Sequence, residues 1–180
     1  DGRTGDGAGV MTQIPFALLR GDVEAQGLAC AAGELAVGLV FLPTDADANA
    51  TARALLEKVL TEHGFPVFRW RALPVDHSAL GAKALRSRPA LAHVLVPRPV
   101  DLHADEFEAQ LVAAQRALEL RAMYAGLDDL YVASLSHRTL VIQAPVRATA
   151  LAGSHPDLRN QATEAAVATF HHPFRTARTR

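Results

Sequence analysis

The sequence predicts a single α+β domain in which layers of helix cover layers of sheet. Residues 35–42 are apolar at both odd and even positions, a pattern that a strand tolerates only when both of its faces are covered. Two later stretches repeat apolar residues at the three- and four-residue spacing of helices. The last third of the chain holds several short apolar runs of strand length. Strands of mixed pairing with helices outside them are typical of an α+β layered domain.

The N-terminal half is predicted to alternate strands and helices. A strand over residues 10–14 leaves a glycine-rich loop, a helical turn follows over 16–20, and residues 21–33 form a loop or frayed helix. After the strand over 35–42, Thr44 is predicted to cap a helix that ends at Gly64, with Asp47 in the position of a capping box. The apolar stripe of that helix is Ala52, Leu55, Leu56, Val59 and Leu60.

A strand over residues 65–73 is predicted to follow, with its side chains alternating between two faces. One face would carry Val67, Arg69 and Arg71. The other face would carry Phe68, Trp70 and Ala72.

The second half is predicted to begin with a short helix over 79–85 and a strand over 91–96. Asp101 is predicted to cap the longest helix, over 105–123, with Phe107, Leu111, Ala114, Leu118 and Ala122 as its apolar stripe. Strands over 130–135 and 139–143, joined by Ser136-His137-Arg138, predict a hairpin. Residues 165–171 are predicted to form a last apolar strand.

Composition excludes several classes of protein. The 180 residues carry a formal net charge of -1, which gives no electrostatic reason to expect a nucleic-acid or membrane partner. No apolar run reaches the roughly 18 residues of a membrane span. The single cysteine, Cys30, excludes an internal disulfide framework and favours a reducing, cytoplasmic location. The chain begins with Asp1 inside a glycine-rich loop, so we expect it to be a piece of a longer protein.

Local patterns of reactive residues indicate no catalytic site. The glycine-rich stretch over residues 1–9 lacks the Lys of a phosphate loop and the spacing of a dinucleotide fingerprint, so a structural turn is favoured. His171 and His172 are adjacent and would point to opposite faces of a strand, which argues against a shared metal. Cys30 lies in an apolar segment that would raise the pKa of its thiol, so packing is favoured over nucleophilic attack. Asp128 and Asp129 are predicted to be solvated.

Several segments in register resemble the large subunits of glutamate synthases. The first is T-G-D-G-A-G over residues 4–9, followed by Gln13-Ile14-Pro15. Residues 36–43 resemble A-V-G-M-V-F-L-P, residues 70–76 resemble W-R-D-V-P-V-D with Leu80-Gly81 after them, and residues 131–139 resemble Y-V-x-S-L-S-x-R-T. Pro156-Asp157-Leu158 is similar to the P-D-L that precedes the last strand of the family.

This resemblance implies a class II glutamine amidotransferase domain with the N-terminal-nucleophile hydrolase fold. Residues 1–180 would then form an incomplete domain of that type, a partial four-layer αββα sandwich. In the family an N-terminal cysteine attacks the side-chain amide of glutamine, with its own α-amine as base. The ammonia travels to a synthase region containing FMN and an iron–sulfur cluster, where 2-oxoglutarate is reductively aminated. The resemblance thus implies partners in the remaining synthase domains and in a small reductase subunit, and no cofactor in this chain.

The same resemblance implies that the reactive groups are missing from residues 1–180. The nucleophilic cysteine would precede Asp1, and the Asn-Gly pair of the oxyanion hole would follow Arg180. Loss of such an oxyanion donor typically costs about 2.7–4 kcal/mol of transition-state stabilisation. Cys30 cannot replace the nucleophile because an internal cysteine has no free α-amine.

One substrate-binding motif of the family, F-H-Q-R-F-S-T-N-T, falls within the chain at residues 170–178. The position of its arginine, which binds the α-carboxylate of glutamine, is occupied by Pro173, while Phe174 and Thr176 match. Arg175 lies two residues further along and would share a strand face with that position, about 6–7 Å away. We therefore expect Phe174, Arg175 and Thr176 to form the substrate-binding segment. The competing hypothesis is a degenerate, non-catalytic binding or structural module that keeps the fold without the site.

Overall fold

The computed structural model describes residues 7–25, 27, 29–80, 85, 86 and 88–171. Four α-helices of this part of the chain are α1 (Phe16–Glu24), α2 (Ala46–Glu62), α3 (Ala104–Tyr124) and α4 (Ala148–Ser154). Its strands are β1 (Ala8–Gln13), β2 (Leu35–Leu42), β3 (Arg69–Ala72), β4 (Ala90–Pro97), β5 (Tyr131–Ser136), β6 (Thr139–Ala144) and β7 (Ala168–His171). Two 3-10 turns, His77–Ala79 and Pro156–Arg159, accompany them.

The strands form two antiparallel sheets. The larger sheet has the order β3-β4-β2-β5 and the smaller sheet has the order β6-β1-β7. Each pairing of neighbouring strands is antiparallel, with Leu35 opposite Pro97 in the larger sheet and Ala8 opposite Ala144 in the smaller one. Antiparallel sheets combined with helices confirm the predicted α+β class.

Helices α2 and α3 cover the outer face of the four-stranded sheet. The even-numbered residues of β2 and β4 point toward them and form a large apolar cluster with the inner sides of both helices. Phe65 and Phe107 lie at its centre with their ring centroids 5.2 Å apart in an edge-to-face arrangement. This layer explains why the β2 segment shows no polar alternation, since its two faces are both buried.

The inner face of the same sheet packs against the three-stranded sheet. Leu35 and Val37 of β2 and Leu95 of β4 meet Val10 and Ile142 of the smaller sheet in a second cluster. Helices α1 and α4 contribute Leu19, Val23 and Leu151 to it. The observed order of helices, sheet and facing sheet is that of a partial αββα sandwich, as the resemblance implied.

The predicted hairpin over residues 130–143 is wrong. β5 pairs with β2 in the larger sheet, whereas β6 pairs with β1 in the smaller one, so the chain crosses between sheets at His137 and Arg138. A two-residue hairpin of type I′ needs positive φ at both central residues. The positive φ angles among the described residues all belong to glycines, and the link has none.

Both predicted helix caps are also wrong by one or two residues. Asp45, not Thr44, caps α2, because its side chain accepts a hydrogen bond from the backbone N–H of Ala48 at 2.9 Å. The residue before α3 is His103 rather than Asp101, and its side chain makes no capping bond. Cap positions depend on the backbone angle at which the chain enters the helix, which spacing alone does not fix.

Smaller differences from the predictions concern β3, β7 and two short helices. β3 is shorter than predicted, and Phe68 packs in the inner cluster while Trp70 packs in the outer one, so these two side chains do not share a face. The last strand, β7, is exposed along its whole length rather than buried. α4 was not predicted at all, and the predicted helix over 79–85 lies largely outside the described residues.

Candidate functional site

Phe170 and His171, the described start of the motif over residues 170–178, lie beside Gly9 of the glycine-rich segment at one end of the three-stranded sheet. β7 pairs with β1, which places His171 opposite Gly9 and Phe170 opposite Val10. Gly7 has a φ of +102°, which L side chains rarely adopt. A Cβ on Gly9 would approach the Cβ of Gln143 and the carbonyl oxygen of Ile142 to 3.3 Å, so the small residue allows β6 to lie close. The sequence alone did not predict this juxtaposition of segments from opposite ends of the chain.

The inner layer of the sandwich is open beside β7. Directly paired residues share a face of a sheet, so Phe170 lies on the same side as Val10. Val10 is 4% exposed, yet Phe170 is 76% exposed. Phe174, Arg175 and Thr176, together with Pro173 and His172, lie outside the described residues. The structure therefore describes Phe170 and His171, the first two residues of that motif.

A buried ion cluster joins two of the segments quoted above, which are far apart in sequence. Arg71 of β3 donates from Nη1 to Asp157 at 2.6 Å and from Nη2 to the second carboxylate oxygen at 3.1 Å. Its Nε donates to Asp22 of α1 at 2.7 Å. Burial alone would lower the pKa of Arg71, but the hydrogen bonds and charges of Asp157 and Asp22 raise it. Such a fork-shaped, fully charged contact fixes the orientation of all three side chains.

Two histidines lie next to this ion cluster. His93 is the residue of β4 opposite Arg71, and its side chain is almost completely buried. Burial lowers the pKa of His93 to about 4, and the positive charge of Arg71 adds to that effect. His155 is fully buried, with Nδ1 3.0 Å from the hydroxyl of Ser154, and burial likewise lowers its pKa. Both imidazoles are therefore neutral at physiological pH. Sequence reasoning missed His93, although a single His within the otherwise apolar β4 was a signal that could have identified it.

Cys30 has the surroundings of a packed thiol rather than those of a nucleophile. It is half-buried against the inner cluster, beside α1. Burial raises the pKa of the thiol, and the negative charges of Glu34 and Glu24 raise it further. The predicted direction is confirmed, since a reactive thiol needs an electropositive environment.

A carboxylate on α3 holds the crossover between the two sheets. Glu108 accepts a hydrogen bond from the hydroxyl of Ser136 at 2.6 Å and one from the backbone N–H of His137 at 3.0 Å. Arg138 pairs with Asp105 one turn earlier on the helix. Beside this crossover lies an open cleft of about 560 Å³, lined by Gln13, Phe16, Gly33, His137, Arg138 and Glu164. It sits at the end of β1 opposite to the one where the substrate motif begins.

Within the described residues, His, Cys, Asp and Glu side chains form no group of three that could hold a metal ion. Asp128 and Asp129 are exposed, as predicted. His171 is exposed as well. In the part of the chain that the structure covers, every helix is too short or too polar to cross a membrane.

The sequence of the chain is similar to a known protein family and to several larger proteins. Residues 1–179 match the family of class-II glutamine amidotransferases. The chain is 30% identical to the glutamate synthase [NADPH] large chain of Azospirillum brasilense, over 98% of this chain and 12% of that protein. It is 33% identical to the chloroplastic ferredoxin-dependent glutamate synthase of Oryza sativa subsp. japonica, and 35% identical to ferredoxin-dependent glutamate synthase 2 of a Synechocystis strain. Each of the latter two alignments covers 98% of this chain and 11% of the relative, so the chain spans about a ninth of their length.

Proposed function

The chain belongs to the class-II glutamine amidotransferases, and from that premise we propose that residues 1–180 form an incomplete glutaminase domain of a glutamate synthase large subunit. The match over residues 1–179 carries this proposal, because it spans both ends of the three-stranded sheet and all three segments of the ion cluster. The alignments to glutamate synthases over 98% of the chain support it.

In the proposed reaction, glutamine is hydrolysed to glutamate and ammonia. A thiolate adds to the side-chain amide carbon, ammonia leaves, and water cleaves the resulting thioester to release glutamate. The ammonia then serves the reductive amination of 2-oxoglutarate in other parts of the enzyme. Those parts would carry FMN and the iron–sulfur cluster, and a small reductase subunit would be a further partner. Clusters of this kind are held by several Cys thiolates, whereas this chain supplies only Cys30.

The role that we propose for this chain is to present the substrate-binding segment. β1 and β7 lie side by side, with His171 of β7 opposite Gly9, which carries no side chain. The segment that leads to β7 is fixed in two places: the hydroxyl of Thr163 donates to the carbonyl of Asp157, and the N–H of Ala166 donates to the Gln13 side chain. Arg175 would then pair with the α-carboxylate of glutamine, between Phe174 and Thr176.

Made as residues 1–180 alone, the chain is proposed to be inactive. Its one cysteine, Cys30, is internal and has a raised thiol pKa, so it offers neither an α-amine base nor a ready thiolate. The purified 180-residue chain should release no glutamate from glutamine in a coupled assay. Measurable release that disappears in Cys30→Ser would overturn this part of the proposal.

The active enzyme is best tested in the complete polypeptide that the gene encodes. We expect glutamine hydrolysis there, with Arg175→Ala raising the KM for glutamine by at least tenfold, the equivalent of about 1.4 kcal/mol of binding energy. Arg178→Ala, in the same basic segment, is the matched control and should leave KM unchanged. Equal effects of the two variants would show that Arg175 contacts no substrate.

A second candidate, a non-catalytic module that keeps the fold, is favoured by one observation. Pro173 occupies the position of the family arginine and can neither pair with a carboxylate nor donate a backbone N–H. A complete polypeptide that folds but neither hydrolyses nor binds glutamine would support this candidate. Hydrolysis of glutamine by the complete polypeptide would exclude it.

A further inference from the structure

The long helix α3 has a second apolar face on the side opposite to the core. Its buried face consists of Phe107, Leu111, Ala114, Leu118 and Ala122. Residues three, four, seven and eight apart share a helix face. The exposed apolar residues of α3 follow this spacing and form one stripe on the side of the helix opposite to the buried face. The apolar residues of that stripe, here called the outer stripe, are Ala109, Val112, Ala113, Leu120, Met123 and Tyr124.

The outer stripe is strongly exposed. Leu120 is 56% exposed, Met123 is 59% exposed and Tyr124 is 84% exposed. Single exposed apolar side chains are ordinary, but several of them along one face of a helix are typical of an interaction surface. An amphipathic helix at a free surface would instead carry charged residues along this face.

The neighbouring helix α2 shows that the pattern is specific to α3. Both helices pack on the same face of the four-stranded sheet, so their outer faces have the same relation to the domain. All residues of α2 are described, and none of its large apolar side chains is exposed. Apart from Ala46, Ala50 and Ala54, its exposed positions are polar: Asp47, Thr51, Glu57, Lys58, Thr61 and Glu62.

The centre of the outer stripe carries one charge, that of Arg116. Among the described residues it forms no ion pair. A symmetric pairing of two copies through the whole stripe, parallel or antiparallel, would place the two Arg116 side chains next to each other at the axis. Because like charges in an interface are costly, the stripe is a poor surface for self-association.

We propose that a segment of the same polypeptide outside residues 1–180 covers the outer stripe of α3, with an apolar surface and a carboxylate facing Arg116. This inference depends on the proposed function, in which the chain is one part of a much longer protein. The relatives support that premise, since the chain corresponds to only 11–12% of their length. α3 would then be packed on two sides, which accounts for apolar residues on two faces.

The test is site-specific photo-crosslinking in the complete polypeptide. A benzophenone amino acid replaces Leu120, replaces Met123 in a second preparation, and replaces Ala54 on the outer face of α2 as the matched control. We expect positions 120 and 123 to cross-link to peptides of the same polypeptide outside residues 1–180, and position 54 to give little product. Cross-links between two differently tagged copies would overturn the proposal, as would yields at 120 and 123 no higher than at 54.

The facing carboxylate has its own test. Arg116→Glu should lower the cross-link yield from position 120 severalfold, whereas Arg116→Lys, which keeps the charge, should preserve it. Equal yields for the two variants would overturn the assignment of a carboxylate. Glutamine hydrolysis measured on the same preparations separates the two proposals: cross-linking without activity refutes the function alone, and activity without cross-linking refutes the covered stripe alone.

Discussion

The two faces of the four-stranded sheet are buried by different kinds of contact. The outer face meets α2 and α3 in a large apolar cluster of described residues that contains no buried ion pair, with the ring of His137 against Phe107 at its edge. The inner face combines apolar contacts with the ion pair of Arg71 and Asp157 and with the neutral imidazole of His93. β4 shows the contrast within one strand, since Val94 points outward and His93 inward. Apolar layers tolerate many packings, whereas charged groups in a buried layer are favourable only in one arrangement.

The largest expected effect is on the outer layer. Phe107→Ala removes a fully buried ring that packs against Phe65, and we expect it to lower the free energy of unfolding by about 3–5 kcal/mol. Val112→Ala, on the exposed side of the same helix, is the control and should have little effect. Urea unfolding of the 180-residue chain measures both. Similar midpoints for the two variants would contradict the assignment of the outer layer as the main apolar core.

Acidification should act on the inner layer. Burial lowers the pKa of His93 from 6.5 to about 4, so between these values the unfolded chain binds a proton that the folded chain does not. The free energy of unfolding is therefore unaffected by His93 above about pH 6.5 and decreases as the pH drops toward 4. At about 1.4 kcal/mol per pKa unit, the decrease amounts to about 3 kcal/mol. His155, whose pKa is lowered mainly by burial, acts in the same direction.

The His93 contribution is measured as a difference between variants, because carboxylates also weaken the fold in acid. Unfolding free energies at pH 7 and pH 4.5 should differ less in His93→Gln than in the original chain. His103→Gln, an exposed substitution, should reproduce the original pH dependence. A His93→Gln chain with unchanged pH dependence would show that this imidazole is not kept neutral by burial.

The ion pair of the inner layer is expected to have a somewhat smaller effect. Asp157→Asn leaves Arg71 half-compensated, because Asp22 still accepts from its Nε. We expect a loss of about 2–3 kcal/mol in the free energy of unfolding. The double variant Arg71→Met with Asp157→Leu should be less destabilised than the sum of the single variants, since it removes both partners of the buried pair. Asp22 loses Arg71 in this variant, but its side chain is 33% exposed and Arg69 lies 3.9 Å away. Strict additivity would indicate that the two side chains are not coupled.

Surface ion pairs should matter least. Arg121 and Glu62 join the exposed rims of α3 and α2, with 43% and 41% of their side chains exposed. Arg121→Ala is expected to change the free energy of unfolding by less than about 1 kcal/mol, and 1 M salt should remove most of that difference. A loss as large as that of Asp157→Asn would contradict the distinction drawn here between buried and exposed charges.

The sequence predicted the outer layer better than the inner one, for a physical reason. Apolar periodicity is a local property, so β2, β4 and the stripe of α3 could be identified from neighbouring residues. Arg71, Asp22 and Asp157 come from three distant segments, and only tertiary packing brings them together. The same limit produced the wrong hairpin, because the partners of β5 and β6 are chosen by the sheets and not by the link between them. The candidate site was located by motif resemblance, and its binding residues lie past the described part of β7.

The pairing of β1 has a consequence for the order of assembly during synthesis. β1 is the first strand among the described residues, yet its two neighbours are β6 and β7, with Ala8 opposite Ala144 and Gly9 opposite His171. Because a ribosome delivers the chain from its N-terminus, β1 has no partner among the described strands until residues 139–144 have emerged, and its second partner comes only with residues 168–171. β2 and β4 can meet much earlier and carry α2 with them. The three-stranded sheet is therefore completed last, after the strands of the four-stranded sheet have formed.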